Sequence, residues 1–241
     1  MPAAAIVRGA VGRASVEAWL AAIDAHPAWR RQAPFDPAFN PHSSSLRAVS
    51  VASLDLEGIA AALLAGEVGR LARTRLGRAL ALDLDQCWVR RQYAPVNQPA
   101  DHAPHSWHQD GALGFDFLGT ASREGALLAM ATCWIALTPC GADAPGTEFA
   151  GSEQGELLPL SALADAEVRA RHPESDRLRP VLAAGDALVF GGGALHHTHV
   201  ADSMAHDRTS LELRFFPAAH PPPRLHGDRF LTLPLIPETL A

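Results

Sequence analysis

The feature that most constrains this chain is a change of hydrophobic period near Gln86. Upstream, apolar residues recur at helical spacing. Val16, Trp19, Leu20 and Ile23 follow the i, i+3, i+4, i+7 rule and predict an amphipathic helix, with Ser15 placed to cap it. A second helical stretch is expected from Asp55 to Leu82, with Ile59, Leu63 and Leu71 on one side; Gly66 and Gly69 weaken it and can split it. Residues 32–50, rich in Pro, Ser and Asn, read as loop. Downstream the pattern is one of short apolar or alternating runs divided by turn residues. Residues 87–93, 187–190, 194–200 and 209–216 read as strands. Leu127 to Leu137 suits a buried strand, with a buried helix as the competing assignment. Pro139 to Gly155 reads as loop, Ser161 to Arg171 as a short helix, and Pro221-Pro222-Pro223 as a stop.

Helices first and many short strands afterwards predict a mostly β protein with a helical cover. The expected core is a double-stranded β-helix, a jelly-roll barrel of the cupin kind. One domain over 1–241 is expected, with 1–85 as helical cover, 86–216 as jelly-roll core and 217–241 as C-terminal tail.

Composition closes off several functions. All 20 basic residues are arginine, so a Schiff-base lysine and a phosphate-cradling P-loop lysine are excluded. A net charge of −6, with scattered basic residues, gives nucleic-acid binding no electrostatic support. Cys87, Cys133 and Cys140 are odd in number and lack CxxC spacing, which argues against a disulfide framework or a zinc knuckle and for a reducing compartment. Met1 to Ala14 makes a poor signal peptide, and the longest strongly apolar run, Ala126 to Leu137, is too short to span a bilayer. The expected location is cytoplasmic, away from the membrane.

Chemistry concentrates in two places. His108-Gln109-Asp110 puts an imidazole and a carboxylate two residues apart, on one side of a strand. About ninety residues later, His196-His197-Thr198-His199 supplies further imidazoles, with His196 and Thr198 on one face and His197 and His199 on the other. His108, Asp110 and His196 together form a two-His, one-carboxylate face, which leaves open positions on a metal and favours non-haem Fe(II). Arg208 follows inside an apolar strand, where its planar fork can hold a carboxylate through two parallel bonds. Trp107, His102, His105, Phe115 and Phe117 flank the first motif and either line a pocket or pack around it. His172, His206 and His220 read as surface residues.

The order of motifs resembles the phytanoyl-CoA dioxygenase family of Fe(II)/2-oxoglutarate oxygenases. Arg91-Gln92-Tyr93 precedes Trp107-His108-Gln109-Asp110-Gly111; Trp134-Ile135-Ala136-Leu137 and Pro145-Gly146-Thr147-Glu148 follow. Gly185-Asp186-Ala187-Leu188-Val189-Phe190 then leads to Leu195-His196 and to Arg208, twelve residues beyond. The likeness runs from about Gln86 to Phe216. Asp202 stands where the family often has Asn, and Phe149-Ala150-Gly151-Ser152-Glu153 lacks its usual Pro-x-Ser-His ending. The resemblance implies that His108, Asp110 and His196 bind Fe(II). It implies that Arg208 pairs with the 5-carboxylate of the cosubstrate 2-oxoglutarate, with Thr198, Ser210 and Gln92 in support. The implied reaction uses molecular oxygen to hydroxylate a small-molecule metabolite and releases succinate and CO2. Asp110 argues against halogenation, because halogenating members replace that carboxylate. A metal-dependent cupin dioxygenase or isomerase that does without 2-oxoglutarate, and a non-catalytic small-molecule-binding barrel, are the alternatives.

Overall fold

The computed structural model describes residues 2–30, 44–98, 103–112, 127–219 and 230–232. Its strands are β1 (Ala5–Val7), β2 (Ser44–Arg47), β3 (Leu80–Asp83), β4 (Trp88–Gln92), β5 (His108–Gln109), β6 (Ala131–Ala136), β7 (Gly146–Ala150), β8 (Arg177–Leu178), β9 (Ala187–Gly191), β10 (Leu195–His199), β11 (Arg208–Pro217) and β12 (Phe230–Thr232). The helices are α1 (Arg13–Ala25), α2 (Pro27–Arg30), α3 (Leu56–Leu64), α4 (Glu67–Leu76) and α5 (Asp165–Arg171).

Two antiparallel sheets face each other in a jelly-roll. The larger runs β1-β9-β6-β11, and the far edge of β11 is shared between β4 along its first half and β3 along its last residues. Outside these lie β2 on β4 and β12 on β3. The smaller sheet runs β5-β10-β7-β8. Alternation on the long strand β11 shows how the layers are divided. Leu211, Leu213 and Phe215 point outward and join Val16, Ile23, Ile59, Leu63 and Val68 in a core under the helices. Arg208, Ser210, Glu212 and Arg214 take the other face, toward the smaller sheet, and all four are buried. A second apolar cluster, including Trp134, Phe149, Leu188 and Phe190, fills part of the space between the sheets.

Several local expectations are corrected. Ser15 does not cap α1; the cap position is Gly12, and Ser15 lies inside the first turn. The long helical stretch breaks at Ala65–Gly66 into α3 and α4, with Gly69 inside α4. It also ends early: Gly77 adopts φ +90° and stops α4, so Leu80 to Asp83 form a strand instead. Asp55 caps α3 by accepting from the Gly58 amide at 3.0 Å. Part of the stretch expected as loop over 32–50 is ordered as β2, because Ser44–Arg47 find an open edge on β4. Residues 139–155 likewise contain β7, which is buried along its whole length. Both strands lack an alternating pattern of their own and take their pairing from a partner. The N-terminal region therefore supplies three strands of the larger sheet as well as helices.

The Gly185-Asp186 pair has a structural explanation. Gly185 has φ +90°, and a Cβ there would meet the Val11 carbonyl oxygen at 2.3 Å. Asp186 accepts from the Gly9 amide at 2.8 Å and the Ala183 amide at 2.9 Å, and pairs with Arg8 at 2.6 Å. This turn ties the N-terminal strand to the sheet just before β9. Among the described residues no helix is long and apolar enough to cross a membrane.

Candidate metal centre and carboxylate pocket

Two pairs of directly opposed residues build the site. In the smaller sheet His196 of β10 lies across from His108 of β5. Both rings face the gap between the sheets, with centroids 4.1 Å apart. The chain then leaves β5, and Asp110 opens a short 3-10 turn rather than continuing the strand. The strand-period expectation for Asp110 is thus met by a turn, and its carboxylate still arrives beside the two imidazoles. His108 Nε2 lies 3.7 Å from Asp110 Oδ1, and His196 Nε2 lies 3.9 Å from the same oxygen. The three ligand atoms all fall within 4.8 Å of one another.

Hydrogen bonds fix which atoms converge. His108 Nδ1 lies 2.8 Å from the Ser106 carbonyl oxygen, and His196 Nδ1 lies 2.9 Å from that of Ala194. A carbonyl only accepts, so each Nδ1 carries the proton and donates. Each Nε2 therefore presents a lone pair to the cluster, as a metal-ligating histidine must. Burial pushes both imidazoles below their ordinary pKa, so they stay in the neutral, ligating form. Burial works to raise the Asp110 carboxyl, but Arg214, His196 and His108 together outweigh it and hold it well below the usual carboxylate range. Two neutral imidazoles and one ionised carboxylate are the donor set that suits Fe(II) with open positions.

The larger sheet supplies the other end of the same pocket, whose lining includes Gln92, Trp134, Thr198 and Arg208. Arg208 of β11 is directly opposed to Gln92 of β4. Arg208 is 3% exposed, and its guanidinium sits 4.9 Å from the centre of the Trp134 ring. Among the described residues it makes no ion pair, and its Nε has no hydrogen-bond partner. Burial works against its charge. The Gln92 Nε2 and Ser210 Oγ atoms are buried and equally unpartnered. Arg208 and Gln92 line the pocket, whereas Ser210 is not part of its lining and only shares their side of the sheet. Buried polar groups left orphaned at a pocket wall are expensive unless an anion joins them. A carboxylate fits this set. Thr198 also lines the pocket, half-buried, and its backbone amide donates to the His105 carbonyl at 3.0 Å.

The remaining histidines fall into two groups, although His197 also contributes to the pocket lining. His197 and His199 take the outer face of the smaller sheet, around the buried Glu148, which lies 2.9 Å from His197 Nε2. His105 lies tilted against His108, with centroids 4.0 Å apart, and lines the pocket. Trp107 does not line it; it packs on His197 and donates to Asp165 at 2.9 Å. His206 is exposed and His172 half-buried. His102, Phe115, Phe117 and His220 lie outside the described residues. Cys87, Cys133 and Cys140 are free and buried.

Sequence reasoning missed a group of charges on the pocket wall. Arg214 reaches Asp110, Glu212 lies beside Arg214, and Arg90 pairs with Glu212 at 2.8 Å. The signal was present in Arg208, Ser210, Glu212 and Arg214, four polar residues at period two in a strand whose intervening positions are Thr209, Leu211 and Leu213. A strand covered on both sides spends polar side chains inward only where a cavity receives them.

Comparison with known proteins agrees with this geometry. The model of the phytanoyl-CoA dioxygenase family matches residues 4–209. By sequence, no curated protein matches. By structure, the chain is similar to the non-heme α-ketoglutarate-dependent epimerase SnoN from nogalamycin biosynthesis, with TM-score 0.63 and 18% identity over 97% of this chain and 94% of that one. It is similar to HygX from Streptomyces hygroscopicus with nickel and 2-oxoglutarate bound, with TM-score 0.59 and 15% identity over 90% and 84%. It is also similar to EctD from S. alaskensis with bound Fe, with TM-score 0.63 and 14% identity over 90% and 74%. The chain belongs to the phytanoyl-CoA dioxygenase family of non-haem iron, 2-oxoglutarate-dependent enzymes.

Proposed function

We propose that this enzyme hydroxylates a small-molecule metabolite, with His108, Asp110 and His196 holding Fe(II) and Arg208 holding 2-oxoglutarate. One observation carries the assignment. A single pocket has converging ligand atoms at one end and, at the other, a buried arginine with no ion-pair partner among the described residues. 2-Oxoglutarate has the matching chemistry, a chelating 2-oxo acid at one end and a free carboxylate at the other.

Bound Fe(II) supplies the redox chemistry that couples oxygen and 2-oxoglutarate to attack on a substrate C–H bond, with loss of succinate and CO2. The chain's own residues do the rest. His108 and His196 offer Nε2 and anchor Nδ1 on backbone carbonyls, so neither ring can turn without losing a hydrogen bond. Arg208 neutralises the distal carboxylate and fixes its orientation through its two-pronged geometry. Gln92 and Ser210 add donors from the same wall, and Thr198 adds a hydroxyl from the facing sheet. Phe149 and Phe190 lie against His196, with centroids 5.5 and 4.8 Å away, and keep water from that side of the ring.

Hydrogen abstraction need not end in hydroxylation. One structurally similar protein is an epimerase and another, SnoK, a carbocyclase, each described as α-ketoglutarate dependent. A screen of metabolite pools with Fe(II), ascorbate and 2-oxoglutarate distinguishes the outcomes. Succinate release with gain of one oxygen supports hydroxylation. Loss of two hydrogens indicates cyclisation or desaturation. Succinate release with unchanged product mass indicates epimerisation. Failure of the purified protein to bind Fe(II) or 2-oxoglutarate removes the proposal.

A further inference from the structure

We infer that Thr132 and Arg214 are positioning residues that hold Asp110 as a one-oxygen ligand, presenting Oδ1 to the metal and withholding Oδ2. The inference rests on the metal assignment above and extends it to residues outside the ligand set.

Thr132 of β6 and Arg214 of β11 are directly opposed across adjacent strands of the larger sheet. Both face the gap between the sheets, and they are 1% and 4% exposed. Asp110 comes to them from the smaller sheet's side. Thr132 Oγ1 donates to Asp110 Oδ2 at 2.6 Å. Arg214 Nη2 stands 3.3 Å from Oδ2 and 3.4 Å from Oδ1. Oδ1 is the oxygen nearest both imidazole Nε2 atoms. The two carboxylate oxygens therefore have different tasks. One points at the histidines, and the other receives a short hydroxyl bond on the side of the opposite sheet.

Arg214 is itself held in place. Its Nη1 donates to the Gln86 carbonyl at 3.0 Å, and its Nη2 lies 3.3 Å from Glu212 Oε2. Glu212 is fixed in turn by Arg90. A carboxylate free to rotate could present both oxygens to a metal and fill a position that the reaction needs open. With Oδ2 committed to Thr132, Asp110 would offer a bound metal one oxygen and not two, which would leave more of the metal open to other ligands. Groups that orient a ligand in this way typically change metal affinity about 10–100-fold when removed.

The test uses the whole protein and Co(II) as a spectroscopic probe. Thr132→Val keeps the shape and removes the hydroxyl; Thr132→Ser restores it. Expected for Thr132→Val is Co(II) affinity lowered at least about 10-fold, together with a changed d–d absorption envelope. The melting temperature of the metal-free protein should stay close to wild type, and Thr132→Ser should recover both affinity and spectrum. Arg214→Gln should change the Co(II) spectrum in the same sense wherever it yields folded protein. A purely packing role predicts the opposite pattern, a lowered melting temperature with unchanged Co(II) affinity and spectrum in the folded protein; that result overturns the inference. If wild type itself binds no Co(II) or Fe(II), the metal assignment fails instead, so the two failures are distinct.

Discussion

The two ends of the pocket solve opposite problems. At the histidine end every group is already held: Ser106 and Ala194 carbonyls fix the imidazoles, and Thr132 and Arg214 fix Asp110. At the arginine end the groups are buried and left open, with Arg208 Nε, Gln92 Nε2 and Ser210 Oγ lacking partners among the described residues. The difference teaches which ligand each end awaits. A cation needs lone pairs aimed in advance, and these can be fixed by bonds through other atoms of the same side chains. An anion needs donors, and a donor satisfied within the protein is lost to the ligand. Pre-satisfaction suits the first end and would disable the second.

The largest effect should come from the histidine end. His196→Ala is expected to lower Fe(II) affinity by more than about 100-fold, beyond the cost of losing an outer hydrogen-bonding partner, and to abolish 2-oxoglutarate turnover. Anaerobic calorimetry checks this, and an unchanged metal affinity would break the comparison at its first end.

Arg208→Ala should behave differently. Removing one partner of a buried charge pair costs about 2–5 kcal/mol. Loss of roughly 3–4 kcal/mol from 2-oxoglutarate binding is a fall in affinity of about 100- to 1000-fold. Fe(II) affinity should stay near wild type, because Arg208 touches none of the ligands. Stability without ligand should hold or rise, since the variant removes a buried cation that has no ion-pair partner among the described residues. Arg208→Lys should fall between, having charge without the two-pronged fork. A titration of 2-oxoglutarate on the Fe(II)-loaded proteins, paired with thermal melts, reads both quantities.

Acid sharpens the contrast further. Burial holds His108 and His196 below their ordinary pKa in the folded protein, while in the unfolded chain they take up protons near about 6.5. The unfolded state then binds more protons, so lowering the pH favours unfolding. The metal-free protein should lose melting temperature steadily from about pH 7.5 to about pH 5.5. Saturating metal should resist that loss, because it binds the neutral rings. A melting temperature flat across this range would contradict the lowered pKa of the two imidazoles.

The smallest effect is expected at Ser210. Ser210→Ala removes a hydroxyl that has no partner among the described residues, so stability should change little. Loss of one hydrogen bond to bound 2-oxoglutarate should weaken its affinity roughly 2- to 10-fold. No change in that affinity would remove Ser210 from the carboxylate pocket and leave Arg208 and Gln92 there.

Much of the site was legible before the fold. His108, Asp110 and His196 could be paired from spacing and motif order, and the structure gathers them at one point. The assignment of His197 and His199 to the opposite face followed from alternation alone, and both lie around Glu148. What could not be read was whatever depends on a partner strand. β2 and β7 have no periodic signature and are strands because edges of β4 and β10 receive them. The period-two pattern put Arg214 and Glu212 on the same face of β11 as Arg208, but nothing local says that Asp110 and Arg90 are what they meet there.

The sequence by itself determined the period change near Gln86, the strand alternation, the types of ligand available and the absence of any lysine chemistry. Those are local properties, fixed by the geometry of a helix or a strand and by side-chain identity. Only the tertiary structure decided that Asp110 turns out of its strand, that Thr132 and Arg214 meet it from the opposite sheet, and that Arg208 is buried with no ion-pair partner among the described residues. These are contacts between residues tens of positions apart in the chain. Their free energies come from burial and from hydrogen bonds made or withheld, and burial exists only once the two sheets have closed on each other.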